Sequence, residues 1–263
     1  MNDILVSRSV SKTYFDTVAQ DDVVALSDIS LSIEAHEFVS VIGPSGCGKS
    51  TFLRIVAGLD TPTEGEVLVT GRKVTGPGAD RGMVFQEYAL LPWKTTEANV
   101  EFGLRLKGMP KEQRAPIVQR FIDLVGLKGF EKKYPHQLSG GMRQRAAVAR
   151  VLANNPAILL MDEPFAAVDA MTRQRLQEEL TVITTSERTT VLFITHAIDE
   201  AVFLSDRVIA LSGRPGRIVA DVRIDLPRPR QWQHLVRDPD FIRYRDQLTQ
   251  CIHDGAKTTK ELT

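Results

Sequence analysis

The sequence lacks the features that mark membrane-spanning, secreted and nucleic-acid-binding chains. None of its apolar runs approaches the roughly 20 residues that a helix needs to cross a bilayer. Its 263 residues include two cysteines, Cys47 and Cys251, so no disulfide framework is expected. Lysine plus arginine and aspartate plus glutamate number 33 each, a balance that gives no sign of a nucleic-acid partner. With no basic-then-apolar segment after Met1, the composition favours a soluble cytosolic chain with one sizeable domain.

A complete phosphate-binding loop follows the strand-like run from Phe38 to Ile42 and precedes a helix-like run that ends near Gly58. Its glycines let backbone N–H groups converge on phosphate oxygens, and the helix N-terminus adds partial positive charge. Lys49 is expected to reach the β- and γ-phosphates, and the Ser50 hydroxyl to ligate Mg²⁺. We therefore predict that a nucleoside triphosphate and Mg²⁺ bind here. The loop consists of Gly43, Pro44, Ser45, Gly46, Cys47, Gly48, Lys49, Ser50 and Thr51.

Two carboxylates follow the continuous apolar run from Ala157 to Met161, which is typical of a parallel strand buried on both faces. Because ligands of open α/β sheets bind at the carboxyl ends of strands, Asp162 and Glu163 are expected beside the phosphate loop. Asp162 would support the Mg²⁺ shell, and Glu163 would orient and polarise the attacking water. An acidic strand end without a role is the simpler alternative, and the phosphate loop argues against it.

Gln86 and His196 also terminate strand-like runs, which end at Phe85 and Thr195. Polar residues at strand ends are usually satisfied polar groups without a chemical role. Their positions relative to the other motifs nevertheless predict that both lie along the same crevice. His196 is then expected to contact the γ-phosphate, and Gln86 to sense Mg²⁺ and the attacking water.

A second glycine-rich turn, within Leu138–Arg145, opens a helix-compatible run that extends to Ala153. Ser139, Gly140 and Gly141 would expose N–H groups at this helix N-terminus, where the helix dipole favours an anion. In isolation the serine is a simple N-cap. Because the phosphate loop covers one side of a γ-phosphate, two chains related by a two-fold axis could each lay this turn over the partner's nucleotide. We therefore predict a homodimer as the catalytic unit.

Together these motifs resemble the nucleotide-binding subunit of an ATP-binding-cassette (ABC) transporter over nearly the whole chain. The resemblance implies a head-to-tail dimer that sandwiches two ATP molecules with Mg²⁺ and drives a transmembrane permease, peripherally at the cytoplasmic face of the inner membrane. It also implies that Asp169 serves communication across the dimer and that an aromatic residue stacks on adenine. That residue is Tyr14, which follows Lys12-Thr13, or alternatively Phe15; packing into the sheet is the structural alternative. The residues that carry the resemblance are Gly43–Thr51, Gln86, Leu138–Arg145, Ile158–Glu163, Asp169 and His196.

Two further elements narrow the resemblance to one group of importers. Leu91-Pro92-Trp93 and Gly213–Arg217 are similar to elements of importers for nitrate, alkanesulfonates and taurine, and they disfavour a lipid or peptide exporter. The similarity implies uptake of a small anion, with an indirect dependence on a periplasmic or extracellular solute-binding protein. The alternative function is a non-transport cassette ATPase that acts on ribosomes or nucleic acid. A single cassette without a heptad run disfavours that alternative.

The expected fold is α/β: a P-loop NTPase core with a mostly parallel sheet, an N-terminal antiparallel β subdomain and an inserted helical subdomain. Period-two alternation over 29–33 predicts the N-terminal sheet, and the helical pattern between two core strands predicts the insertion. The ATP-binding cassette domain is expected over 1–230, with its helical subdomain at about 96–155. A short C-terminal tail is expected over 231–263.

An aromatic and apolar cluster after Gln86 is the candidate contact with the permease. Tyr88, Leu91 and Trp93 are expected to form an exposed surface that receives a partner helix, with a locally buried cluster as the alternative. Gln86 is expected between this surface and the γ-phosphate. A change in the state of the bound nucleotide would therefore be transmitted through Gln86 to this surface.

Cys47 lies inside the phosphate loop, close to the start of a helix. A thiol in such a position can have a lowered pKa and a redox role. The simpler interpretation is a small residue that the loop tolerates.

Overall fold

The computed structural model describes residues 3–18, 20–166 and 168–260, so the last part of the expected tail, 261–263, lies outside the described residues. The strands are β1 (Asp3–Asp16), β2 (Asp21–Glu34), β3 (Phe38–Ile42), β4 (Glu64–Val69), β5 (Arg72–Lys73), β6 (Arg81–Val84), β7 (Ile158–Asp162), β8 (Val191–Ile194), β9 (Arg207–Leu211) and β10 (Ile218–Arg223). The helices are α1 (Lys49–Ala57), α2 (Thr96–Leu106), α3 (Lys111–Leu124), α4 (Gly140–Leu152), α5 (Ala170–Ser186), α6 (Ile198–Leu204), α7 (Trp232–Leu235) and α8 (Pro239–Lys260).

The central sheet has the strand order β10-β9-β3-β8-β7-β6, in which all strands but the antiparallel edge strand β10 run parallel. Val39 of β3 pairs with Leu192 of β8 on one side and with Arg207 of β9 on the other. Every residue of β3 and β8 is buried, because both faces of the sheet are covered. The carboxyl ends of the five parallel strands therefore meet at one edge, where ligands of such sheets bind.

Alternate residues of the central strands contribute to two separate apolar cores. Phe38 and Phe193 belong to the core shared with the helices, where their ring centroids lie 5.8 Å apart. Val41 and Leu192 point to the opposite face and belong to the core shared with α1 and the N-terminal strands. This period of two is the ordinary alternation of side chains along a strand.

The N-terminal strands form a second sheet with the order β2-β1-β4-β5, antiparallel throughout. β4 and β5 are joined by Thr70 and Gly71, both with positive φ, which is typical of a tight hairpin turn. The expected N-terminal antiparallel subdomain is confirmed.

Helices α2, α3 and α4 lie between β6 and β7 in the chain, and the expected insertion of a helical subdomain into the core is confirmed. The Thr95 hydroxyl accepts a hydrogen bond from the backbone N–H of Ala98 and so caps α2. Val100, Phe121 and Ala146 contribute one buried apolar face from each of the three helices. The helices therefore pack through apolar stripes, as amphipathic helices of a globular domain do.

The segment after β10 packs back onto the core. Arg230 is 4% exposed, and its guanidinium donates hydrogen bonds to four backbone carbonyl oxygens, those of Val202, Phe203, Ser205 and Leu226. The Trp232 ring stacks on Phe203 with centroids 4.2 Å apart. Within the described part of the chain, no helix combines the length and the apolar composition that a membrane crossing requires.

Leu192 and Leu106 provide a matched test of this arrangement. Leu192 lies in central strand β8 with no exposed surface, whereas Leu106 on α2 is 73% exposed. Leu192→Ala should lower the free energy of unfolding by about 2–5 kcal/mol, because it removes buried apolar contacts and leaves a cavity. Leu106→Ala should change it by no more than about 0.5 kcal/mol. Urea titration measures both, and equal effects would contradict the described burial.

Candidate functional site

The phosphate loop forms the turn from β3 into α1, at the edge where the parallel strands end. Gly46 and Gly48 have φ values of 78° and 98°, a region of backbone conformation that favours glycine. At Gly48, a side chain would also collide with Leu26 and with the carbonyl oxygen of Ala25. Glycine at 48 therefore permits both the turn and the close approach of β2 to the loop.

A cavity of about 350 Å³ opens beside this turn. Its volume lies within the range of about 300–1,000 Å³ that is usual for small-molecule sites. The loop contributes Ser45, Gly46 and the residues 48–51 to the lining, and the rest of the protein contributes Tyr14, Ala25, Glu163 and Arg214.

Lys49 is 5% exposed, and its ammonium nitrogen Nζ lies inside the loop. Nζ donates hydrogen bonds to the carbonyl oxygens of Gly43, at 2.8 Å, and Pro44, at 2.9 Å. An ammonium carries three donors and a positive charge. A phosphate oxygen in the cavity, which Lys49 lines, would therefore meet a charged hydrogen-bond donor.

The Cys47 side chain is 1% exposed and is not part of the cavity lining. Burial raises the pKa of the Cys47 thiol, although the nearby Lys49 ammonium works in the opposite direction. This is the reverse of the lowered pKa that a position near a helix start suggested. Contact between Cys47 and a nucleotide in the cavity is therefore limited to the backbone.

Ser50 connects the loop to the carboxylate at the end of β7. Its Oγ donates a hydrogen bond to Oδ1 of Asp162 at 2.9 Å. Burial raises the pKa of Asp162, and the neighbouring Glu163 carboxylate adds to the increase, while the hydrogen bond from Ser50 opposes it. A cation would reverse this penalty, and a hydroxyl with a carboxylate is the oxygen pair that suits Mg²⁺ alongside water and phosphate. The residues present thus fit a magnesium–nucleotide complex.

Glu163 extends into the cavity from the residue after β7. Its φ is 42°, an uncommon conformation for a residue other than glycine that is often found at functional sites. Nδ1 of His196, which follows β8, lies 3.0 Å from Oε2 of Glu163. This contact orients the carboxylate and leaves Oε1 available to a water molecule.

Tyr14 is held by a network of charged and polar groups. Its hydroxyl donates to Oδ2 of Asp60 at 2.6 Å, and Nζ of Lys12 lies 2.7 Å from Oδ1 of the same carboxylate. Nζ also lies 4.7 Å from the Tyr14 ring centroid, so a cation covers one part of the ring. Burial raises the pKa of Tyr14, and the hydrogen bond to Asp60 adds to the increase. Phe15 is 59% exposed and does not line the cavity.

Hydrogen bonds from Lys12 and Tyr14 outweigh the effect of burial on Asp60 and lower its pKa. The folded state therefore holds Asp60 in its charged form more firmly than the unfolded state does. The resulting contribution to stability is present above the unfolded pKa and is lost as pH falls through the folded one.

Of the predicted site residues, several near the cavity do not line it themselves, namely Gly43, Pro44, Cys47, Asp162 and His196, and three further groups also lie outside the cavity lining of a single chain. Ser139 caps α4 by accepting a hydrogen bond from the N–H of Met142, which leaves Gly140 and Gly141 in the first turn. Asp169 caps α5 by accepting from the N–H of Thr172, and this backbone hydrogen bond lowers the pKa of Asp169. The third group, Gln86, is exposed two residues beyond the end of β6.

Sequence reasoning missed four residues at or around the cavity. Ala25 and Arg214 line it, and Lys12 and Asp60 orient the tyrosine. A signal for Arg214 was present, because it follows the parallel strand β9 just as His196 follows β8. The other three depend on contacts between distant parts of the chain.

The segment after Gln86 is fixed to the helical layer. The buried side chain of Asn99 accepts a hydrogen bond from the N–H of Leu91 and donates to the carbonyl oxygens of Leu91, Lys94 and Thr95. In the middle of this loop the Trp93 side chain is 70% exposed. Of the expected cluster, Trp93 is exposed while Tyr88 and Leu91 are half-buried, and Tyr88 packs against the helical core. The contact of this cluster with a permease stays a prediction.

Comparison with known proteins gives a consistent result. A family model described as ABC transporter matches residues 26–166. An uncharacterized ABC transporter ATP-binding protein of Methanocaldococcus jannaschii is 57% identical over 88% of this chain and 85% of the relative. The nitrate import ATP-binding protein NrtD of Synechocystis is 49% identical over 88% of both chains. The bicarbonate transport ATP-binding protein CmpC of Synechococcus elongatus is 44% identical over 91% of this chain and 37% of the relative.

A solved structure agrees with the sequence matches. A dimeric ATP-binding cassette in a post-hydrolysis state, bound to ADP and Pi, superimposes with a TM-score of 0.72 at 35% identity and covers 85% of this chain and 100% of its own. Its fold is that of the phosphate loop, sheets and helices described above. The chain belongs to the ABC transporter family and is one of its ATP-binding, ATP-hydrolysing subunits.

Proposed function

We propose that two copies of this chain bind two Mg·ATP and energise the import of a small anion, such as nitrate, a sulfonate or taurine, through a transmembrane permease. The proposal rests on one observation, which is that the phosphate loop and Glu163 line the same cavity. A phosphate-binding turn and a carboxylate that can activate water are the two parts that hydrolysis of a phosphoanhydride requires.

Each of the groups in and around the cavity has a proposed chemical task. Lys49 and the backbone N–H groups of the loop bind the phosphates, and Tyr14 stacks on adenine. Ser50 and Asp162 would hold Mg²⁺ with help from Gln86, and the ion supplies charge neutralisation on the phosphates when bound. Oε1 of Glu163 accepts the hydrogen bond of the attacking water, because Oε2 faces His196.

His196 keeps the Glu163 carboxylate in position and is proposed to contact the γ-phosphate as well. Its side chain is 59% exposed, so it can meet a ligand while Nδ1 stays against the glutamate. A carboxylate held in one orientation saves the cost of ordering it during the reaction.

The dimer follows from the groups that one chain leaves outside its cavity. Ser139, Gly140 and Gly141 form the N-terminus of α4, a 13-residue helix, and the N–H groups of such a helix start suit an anion. In a head-to-tail dimer this turn covers the nucleotide held by the other chain, and Asp169 lies in the segment that communicates across the interface. Closure over two nucleotides then drives the permease, and hydrolysis reopens the dimer.

The permease contact is proposed at Trp93. An exposed tryptophan on a loop that Asn99 holds rigid costs little to order when a partner helix binds. Arg150 of α4 donates to the carbonyl oxygens of Tyr88 and Ala89, so the same segment is tied to the helix that begins at Gly140. Movement of α4 toward a partner's nucleotide would therefore carry the permease-binding loop with it.

The proposed substrate class rests on the relatives named for nitrate import and bicarbonate transport, both small anions. A solute-binding protein outside the membrane would deliver the anion to the permease, and this chain would work peripherally at the cytoplasmic face. The alternative of a cassette acting on ribosomes or nucleic acid has no support among the relatives named above.

Glu163→Gln tests the hydrolytic assignment. We expect the turnover number for ATP hydrolysis to fall about 100- to 10,000-fold, because an amide cannot accept the proton of water. Affinity for Mg·ATP should be retained, and ATP should stabilise a dimer in analytical ultracentrifugation. Glu112→Gln, an exposed change in the first turn of α3, is the control and should leave turnover intact. A Glu163→Gln variant that stays monomeric with saturating ATP would refute the dimer mechanism.

Tyr14→Ala and Phe15→Ala decide which aromatic stacks on adenine. Loss of the stacking residue should weaken ATP binding by about 5- to 150-fold, which corresponds to about 1–3 kcal/mol for a base–aromatic contact. We expect this loss with Tyr14→Ala and unchanged affinity with Phe15→Ala in isothermal titration calorimetry. The opposite pattern would assign the role to Phe15.

Trp93→Ala tests the permease contact. The variant should bind ATP as the wild type does but lose most of its co-purification with a multi-span permease in mild detergent. Val182→Ala on α5 removes a side chain that is 61% exposed and serves as the matched control. Undiminished co-purification of Trp93→Ala would rule out docking at this residue.

A further inference from the structure

We propose that Arg214 binds the α- or β-phosphate of the nucleotide and so completes the phosphate site from a turn that packs beside the phosphate loop. The inference rests on the proposed function, because it requires a nucleotide in the cavity. It goes beyond the nucleotide-binding motifs of that function, since Arg214 belongs to the turn after β9, within the importer-like element Gly213–Arg217, and to none of those motifs.

The backbone around Arg214 is fixed by hydrogen bonds on both sides. Oγ of Ser212 donates to the carbonyl oxygen of Pro215 and accepts from the N–H of Arg217, each at 2.9 Å. The N–H of Ser212 also donates to the carbonyl oxygen of Arg217 at 2.9 Å. Arg214 therefore sits at the tip of a closed turn, which we call the 212–217 turn.

The 212–217 turn packs directly against the phosphate loop and β2. The N–H of Gly216 donates to Ala25 and the carbonyl oxygen of Gly216 accepts from Ser27, both at 3.0 Å. A side chain at Gly216 would collide with the carbonyl oxygen of Cys47, in the middle of the phosphate loop. The 212–217 turn thus forms a third side of the nucleotide cavity. It contacts the phosphate loop and β2, the two elements that form the other sides.

Arg214 itself lines that cavity. Its side chain is exposed, and no hydrogen bond or ion pair among the described residues engages its guanidinium. Together with Lys49 it gives the cavity a second fixed-charge cation, and the planar guanidinium matches two phosphate oxygens at once.

The position of the turn selects the phosphates. It contacts the loop at Cys47, in the stretch whose backbone N–H groups face the α- and β-phosphates, while Glu163 marks the γ-phosphate end. The contact of Arg214 is therefore with phosphates that ADP and ATP share.

Equilibrium binding tests the assignment. Calorimetric titration with Mg·ATP and Mg·ADP is run on the wild type and on the variants Arg214→Ala, Arg214→Lys and Arg217→Ala. Arg217 lies in the same turn, carries the same charge, is exposed and does not line the cavity, so its variant is the matched control. Thermal unfolding of each variant shows that the fold is kept.

Arg214→Ala should weaken the binding of both nucleotides by at least about 10-fold, because it removes a charge-assisted contact. Arg214→Lys should recover part of the loss, since a lysine keeps the charge without the planar fork. Wild-type affinity in Arg214→Ala, a loss confined to ATP, or an equal loss in Arg217→Ala would overturn the assignment. If the wild type binds neither nucleotide, the proposed function itself fails, and the two failures are distinguishable.

Discussion

Coverage of both faces of the parallel sheet is the constraint on which the rest of the structure depends. It makes β3, β7 and β8 predominantly apolar, with the buried Ser40 as the exception within β3, and it places the polar groups of the site at the carboxyl ends of the strands. The phosphate loop, the carboxylates at 162 and 163 and the histidine at 196 all follow such ends. The hydrogen bond between Ser50 and Asp162 is a direct consequence, since the start of α1, reached through the loop after β3, meets the end of the non-adjacent strand β7 at this edge.

The same constraint explains how much of the molecule could be predicted. Continuous apolar runs followed by polar residues are visible in the sequence, so the core strands, the phosphate loop and the Glu163 position could be derived without a structure. The orientation of Tyr14 could not, because Asp60, which holds its hydroxyl, lies 46 residues away in the chain. The position of Arg214 at the cavity could not be predicted for a different reason. Its strand β9 begins with the charged residue Arg207, and the turn after β9 resembled an element of an importer group rather than part of the site.

The exposed fraction of individual side chains was the property that the sequence predicted least well. Tyr88, Leu91 and Trp93 have similar apolar character, and nothing in their spacing distinguishes a buried from an exposed member. In the structure Tyr88 packs against the helical core, whereas Trp93 is exposed on a loop whose backbone is hydrogen-bonded to Asn99, one turn into α2. Cys47 is a similar case, since the turn geometry that exposes the loop backbone also directs this thiol into the core.

The contacts of Gly216 with Ala25 and Ser27, and its close approach to Cys47, have a mechanical consequence. They tie the N-terminal sheet, the phosphate loop and the turn after β9 to one another through backbone contacts, beside the cavity that all three elements line. The three sides of the cavity that these elements form therefore keep their separation as long as these contacts are kept. A change in the shape of this cavity therefore requires that the backbone hydrogen bonds of Gly216 break.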